Sequence, residues 1–157
     1  GTEDAKSIEP DEDYVIPFGK ARIVLEATSS TNKHQSTLTI ITYGMGVHWA
    51  KALAEKMANE YDIEVVDLRT LLPWDKETVA ASVRKCGKVL VMHEDCLTGG
   101  IGGEIAAWIG EHCFSSLDAP VMREASLDTP VPFAMTLEAN FLPTARLEAT
   151  MKKLLLY

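Results

Sequence analysis

The chain has 157 residues, 46% of them hydrophobic and 24% charged, enough for one globular domain with a real core and too few for two full domains. Fifteen Lys and Arg against 23 Asp and Glu give a formal net charge of −8, which disfavours a nucleic-acid backbone or an anionic membrane surface and favours a basic partner. No apolar run reaches the roughly 18–20 residues of a membrane span, and the acidic start Gly1-Thr2-Glu3-Asp4 is unlike a secretory signal, so the chain is expected to be soluble.

Residues 1–13 carry six acids and little apolar surface, and they read as an acidic linker or a cleavage remnant ahead of a single domain at 14–157. β-Branched residues at 23–25 and 37–43 predict two strands, separated by the polar run 28–35 that includes His34. They are joined by a hairpin-like loop with no helix, so the first strand is expected to run antiparallel to the second and to lie toward an edge. After Gly44-Met45-Gly46, the spacing of Val47, Ala50, Leu53, Ala54, Met57, Ala58 and Tyr61 predicts an amphipathic helix. A short strand follows at 63–68. Pro73-Trp74-Asp75 opens a second helix that Gly87 stops, and Val89-Leu90-Val91-Met92 reads as a buried strand ending at His93. Residues 101–113 form a third helix, 121–125 a weaker strand, and 128–143 a proline-punctuated loop, before a last helix through Leu147, Met151, Leu154 and Leu155. Strands alternating with helices imply a mostly parallel sheet covered on both faces.

Two glycine clusters carry the chemical interest. Gly44-x-Gly46, with Glu64 and Asp67 about 20 residues on, imitates a dinucleotide-binding fingerprint. Trp49 stands where the third glycine belongs, so the pair is read as a tight strand-to-helix turn. In His93-Glu94-Asp95-Cys96-Leu97-Thr98-Gly99-Gly100-Ile101-Gly102-Gly103-Glu104, four glycines stand at a helix entrance without a lysine, which suits close packing against a partner better than phosphate binding. His93 ends a strand where open α/β sheets bind ligands, but no nucleophile accompanies it, and it is read as a structural histidine hydrogen-bonded to a neighbouring loop. Cys86, Cys96 and Cys113 lack disulfide or zinc-finger spacing, the first and last reading as small buried side chains at helix ends, and the four histidines make no metal site.

Several separate motifs, taken in order, look familiar: Tyr14-Val15-Ile16-Pro17-Phe18-Gly19-Lys20-Ala21, Thr42-Tyr43-Gly44, Val66-Asp67-Leu68-Arg69-Thr70-Leu71-Leu72-Pro73-Trp74-Asp75, and the His93 cluster. Leu117-Asp118-Ala119-Pro120-Val121, Asp128-Thr129-Pro130-Val131-Pro132-Phe133-Ala134 and Phe141-Leu142-Pro143 extend the match. Together they resemble the carboxyl-terminal domain of the beta subunit of thiamine diphosphate-dependent 2-oxo acid dehydrogenases of the pyruvate or branched-chain 2-oxoisovalerate type. The wider relatives are the carboxyl-terminal domains of transketolase-like enzymes. Residues 27–37 are longer than the family's usual turn, and Met135-Thr136 replaces prolines often found there.

The resemblance implies a three-layer α/β/α fold around a mixed, mostly parallel five-stranded sheet whose first strand is antiparallel. It also implies that thiamine diphosphate and Mg²⁺ belong to other domains of a full-length enzyme, so no catalytic, cofactor-binding or metal-binding residue is carried onto this chain and the fragment alone is expected to be inactive. The implied role is structure, oligomerisation and docking. Gly100, Gly102, Gly103 and Trp108 are expected near a twofold-related copy, and Phe114, Asp118 and the Tyr157 carboxylate are expected to face the small basic peripheral subunit-binding domain of the dihydrolipoyl acyltransferase. The alpha part and the amino-terminal beta domains would be further partners, in a bacterial cytoplasm or a mitochondrial matrix. An alternative is a small-molecule or nucleotide regulatory module using a crevice near Gly44, Asp67, His93 and Gly99.

Overall fold

The computed structural model describes residues 8–28 and 36–157; most of the polar run with His34, and the first half of the acidic linker, lie outside them. The strands are β1 (Arg22–Leu25), β2 (Ser36–Thr42), β3 (Tyr61–Asp67), β4 (Val89–Cys96) and β5 (Met122–Ser126). The helices are α1 (Met45–Lys56), α2 (Lys76–Cys86), α3 (Gly102–His112), α4 (Met135–Phe141) and α5 (Thr144–Leu155), with a short 3₁₀ turn at Phe114–Ser116. The sheet order is β1-β3-β2-β4-β5, and every pairing is parallel except that of β1 with β3.

Alternation along the central strands builds two cores. Leu38 and Ile40 of β2, Ile63 and Val65 of β3, and Leu90 and Met92 of β4 point to one face, where α1 and α5 cover them. Ile41, Val66, Val89 and Val91 point to the other, under α2 and α3. The apolar run of β4 is buried on both faces because the strand lies inside the sheet. Each such side chain contributes about 1.5–3 kcal/mol by leaving water.

Helix α2 starts and stops where its sequence dictates. Asp75 caps it, its carboxylate accepting from the Thr78 amide at 3.0 Å, and Gly87 ends it in the left-handed conformation at φ 72. Burial pushes the Asp75 carboxyl up, but the Thr78 and Ala21 amides and the Thr78 hydroxyl more than offset this and hold it below the usual range. The Ala21 bond, at 3.0 Å, pins the segment before β1 to the start of α2.

Three expectations need correction. Strands β1 and β2 are not hydrogen-bonded to each other: β3 lies between them, and β1 pairs antiparallel with β3, Arg22 opposite Asp67. The connection is far longer than the two to five residues of a tight hairpin, so the chain can step across one strand. Helix α1 ends at Lys56; Ala58 is exposed, and Tyr61 begins β3 opposite Ser36, its apolar spacing with the helix being incidental. The loop at 128–143 contains α4, a run of helix-compatible residues between Pro132 and Pro143 that the flanking prolines concealed.

Candidate functional site

Near the carboxyl end of β4 the chain packs on itself around His93, while Glu94 and Asp95 just beyond it are exposed. His93 is fully buried; neither ring nitrogen makes a hydrogen bond of full geometry, and the polar group that acts on the ring is the backbone of Asp95, two residues on. Its ring lies parallel to Tyr43 at 6.1 Å, and the α3 entrance covers it. A Cβ on Gly100 would stand 2.6 Å from His93 Cε1, and one on Gly102 2.5 Å from Cδ2. The space left by these two glycines is therefore occupied from within the chain. Burial depresses the His93 pKa, with Asp95 pulling the other way, so the ring is neutral.

Beside it, Tyr43, Glu94, Asp95 and Glu138 line a cavity of about 390 Å³ that Phe141 and Leu142, from the end of α4, help to close. Burial, then Asp95 and Glu94, raise the Tyr43 pKa and keep the phenol protonated. Among the described residues no cluster of three or more His, Cys, Asp or Glu side chains is placed to hold a metal ion.

The carboxyl ends of β2 and β3 are open. A crevice of about 660 Å³ brings together Gly44 and Asp67, as expected, but not His93 or Gly99. Arg22, His48, Lys51 and Arg69, which sequence reasoning missed, line it as well. Arg69 was within sight, two residues beyond Asp67; Arg22 joins only through the pairing of β1 with β3. Glu64, the other acid of the apparent fingerprint, is taken up elsewhere. It is fully buried and accepts from Ser82 Oγ at 2.6 Å, Lys85 Nζ at 2.6 Å and the Ala27 amide at 3.2 Å. This ties β3 to α2 and to the segment after β1.

The third place lies at the amino ends of the strands. Phe114 and Asp118 line one depression of about 550 Å³ with Ala106, Gly110, Leu117 and Pro120. Phe114 is 77% exposed and is not a core residue. The Asp118 amide donates to the Gly87 carbonyl at 2.8 Å, while its carboxylate, packed over Gly87, is exposed and makes no hydrogen bond or ion pair with described residues. Next in the chain, Lys88 donates to the Leu155 carbonyl at 3.2 Å. The Gly87-Lys88 turn thus anchors both Asp118 and the end of α5. Tyr157 lies outside the depression, 64% exposed.

Trp108, on α3, is half-buried, edge-on to Trp74 at 5.0 Å and stacked on His112 at 4.5 Å, with Lys76 Nζ 5.6 Å from its ring. Gly103 is half-buried, and a Cβ there would meet only the Arg123 side chain at 3.4 Å.

Known proteins agree with this architecture. The family model for the transketolase carboxyl-terminal domain matches residues 28–146. The chain is 42% identical over 148 residues to the 2-oxoisovalerate dehydrogenase subunit beta of Bacillus subtilis (strain 168), covering 92% of this chain and 43% of that protein. It is 38% identical over 133 residues to the pyruvate dehydrogenase E1 component subunit beta of Rhizobium meliloti (strain 1021), covering 84% of this chain and 27% of that protein. Among solved structures, a split-gene transketolase in an inactive beta4 tetramer has the same fold, with a TM-score of 0.72 at 24% identity over 92% of this chain and 44% of that one. The chain spans less than half the length of these relatives. The match over most of the chain, together with the five-stranded mixed sheet and its antiparallel edge, places the chain in the transketolase carboxyl-terminal domain family.

Proposed function

We propose that this chain is the carboxyl-terminal structural, oligomerisation and docking domain of the decarboxylating component of a 2-oxo acid dehydrogenase complex. The complete enzyme would oxidatively decarboxylate a 2-oxo acid and pass the acyl group to lipoyl-lysine. Similarity to beta subunits acting on both 2-oxoisovalerate and pyruvate supports the reaction class and leaves the substrate to other parts of the enzyme. Thiamine diphosphate and Mg²⁺ would be held by those parts, and we assign no chemical step to residues of this chain; the isolated domain is expected to be inactive.

The observation that carries the docking role is the pairing of an exposed aromatic with an unpaired carboxylate on one concave surface, Phe114 beside Asp118. That suits a small basic domain presenting an arginine or lysine next to an apolar side chain. Tyr157, 64% exposed just beyond the end of α5 that Lys88 holds, would belong to the same docking edge. Interfaces between copies would use α3, where Trp108 and Gly103 remain partly exposed. Gly100 and Gly102 would then support α3 from within, through His93.

The test is a calorimetric titration of the complete enzyme with the peripheral subunit-binding domain of its acyltransferase. Asp118→Ala should weaken association by roughly 1–3 kcal/mol, the loss shrinking as salt rises. Decarboxylation with an artificial electron acceptor should stay unchanged. Equal affinity of the variant at every salt concentration would defeat the docking assignment.

A further inference from the structure

We propose that the open crevice at the carboxyl ends of β2 and β3 binds a small phosphate-bearing anion. Three cationic side chains reach it from three separate elements: Arg22 from β1, Lys51 from α1 and Arg69 from the turn after β3. In a chain of net charge −8 this is a local reversal of sign, made by the fold and by no basic run in the sequence.

The three cations are poorly neutralised by their neighbours. The Arg22 side chain makes no hydrogen bond or ion pair with described residues. Arg69 reaches the Tyr14 hydroxyl with Nη2, at 3.4 Å. Lys51 lies 3.7 Å from Glu55, with both side chains about half exposed, a pair that water and salt weaken. Asp67 is the one acid in the lining, and it already accepts from the Arg69 amide at 3.0 Å.

Two guanidinium groups and an ammonium around a concave space suit a phosphate, whose several oxygens can accept from forked and single donors together. Tyr14, Ile16 and Val24 in the same lining leave room for an apolar body attached to that phosphate, within a volume of about 660 Å³. The ligand class is therefore a phosphomonoester or diphosphate of a small organic molecule. The site lies at the opposite end of the sheet from Phe114 and Asp118 and does not depend on the docking role.

Inorganic pyrophosphate, titrated into the full chain by calorimetry at low and constant ionic strength, is the probe. One saturable site with a Kd below about 1 mM is expected. Arg22→Gln and Arg69→Gln should each weaken it about tenfold or more, and Lys51→Gln, an exposed change on α1 that leaves the fold intact, should weaken it measurably. Lys153→Gln, on α5, should leave it unchanged. Heats that never saturate, or a Kd that survives the Lys51 substitution and either arginine substitution, would overturn the proposal and leave the crevice to a contact between protein surfaces.

Discussion

The two glycine-rich strand-to-helix turns look alike in sequence and end in opposite states. After β4, the glycines admit the His93 ring beneath α3, and the space they leave is filled by that fully buried side chain. After β2, a Cβ on buried Gly46 would likewise run into Thr42 and Met92, but one on Gly44 would meet nothing within 4 Å, and there the turn borders an open basic crevice. A glycine cluster removes bulk; whether a ligand or a side chain of the protein takes the space is settled by what the rest of the fold delivers there.

One effect that separates the two turns is steric. Gly102→Ala should cost about 1–3 kcal/mol, because the new methyl would run into the fully buried His93 ring and force it to shift. The His93→Ala, Gly102→Ala double variant should recover part of that loss, and chemical denaturation of the four-member cycle measures the coupling. Additive losses would mean that the ring does not fill the glycine gap.

The next effect is protonic. Because burial holds the folded His93 pKa below its unfolded value near 6.5, the unfolded chain takes up a proton first as pH falls. Stability is thus complete above about pH 6.5 and declines as pH drops from there toward the folded pKa. The urea midpoint should follow this course, and His93→Gln should flatten it in that window.

At the open turn, Gly44→Ala should cost about 1–3 kcal/mol, all of it backbone strain at φ 57, ψ −134, because a Cβ there clashes with nothing. Removing the His93 side chain should recover none of that loss; recovery equal to that in Gly102→Ala would erase the distinction between the turns. The smallest effect is in thiol reactivity. Burial, with Glu64 next, pushes the Cys86 thiol up to about 12, so alkylation of the folded chain at mildly alkaline pH should spare Cys86 and the buried Cys113 and modify the partly exposed Cys96 near the closed turn. Mass spectrometry after a short pulse of reagent would show whether that order holds.

Much of the scaffold was legible in the chain because its signals are local. Asp75 and Gly87 bracket α2 through a side-chain cap and a left-handed turn that need no distant partner. Val89-Leu90-Val91-Met92 announces an interior strand by being apolar on both faces, and the alternation of strands with helices implied the parallel sheet. Helix α4 was concealed because prolines bracket a short segment whose helix signal is weak. Phe114 and Asp118 lie on one depression because they are only four positions apart, across the short 3₁₀ turn that follows α3.

The amino-acid sequence by itself determined the layer architecture, the antiparallel edge, the acidic character and the family, all of which rest on periodicity, composition and ordered motifs. Only the tertiary structure decided that β3 comes between β1 and β2, because strand neighbours depend on which edges meet after collapse. It also decided that His93 is enclosed, and that Glu64 is spent in a buried network with Ser82 and Lys85. The basic crevice belongs to the same class. Arg22 and Arg69 are 47 positions apart, and no local preference links them; the pairing of Arg22 with Asp67 does, bringing unneutralised cations to one rim of an otherwise acidic protein.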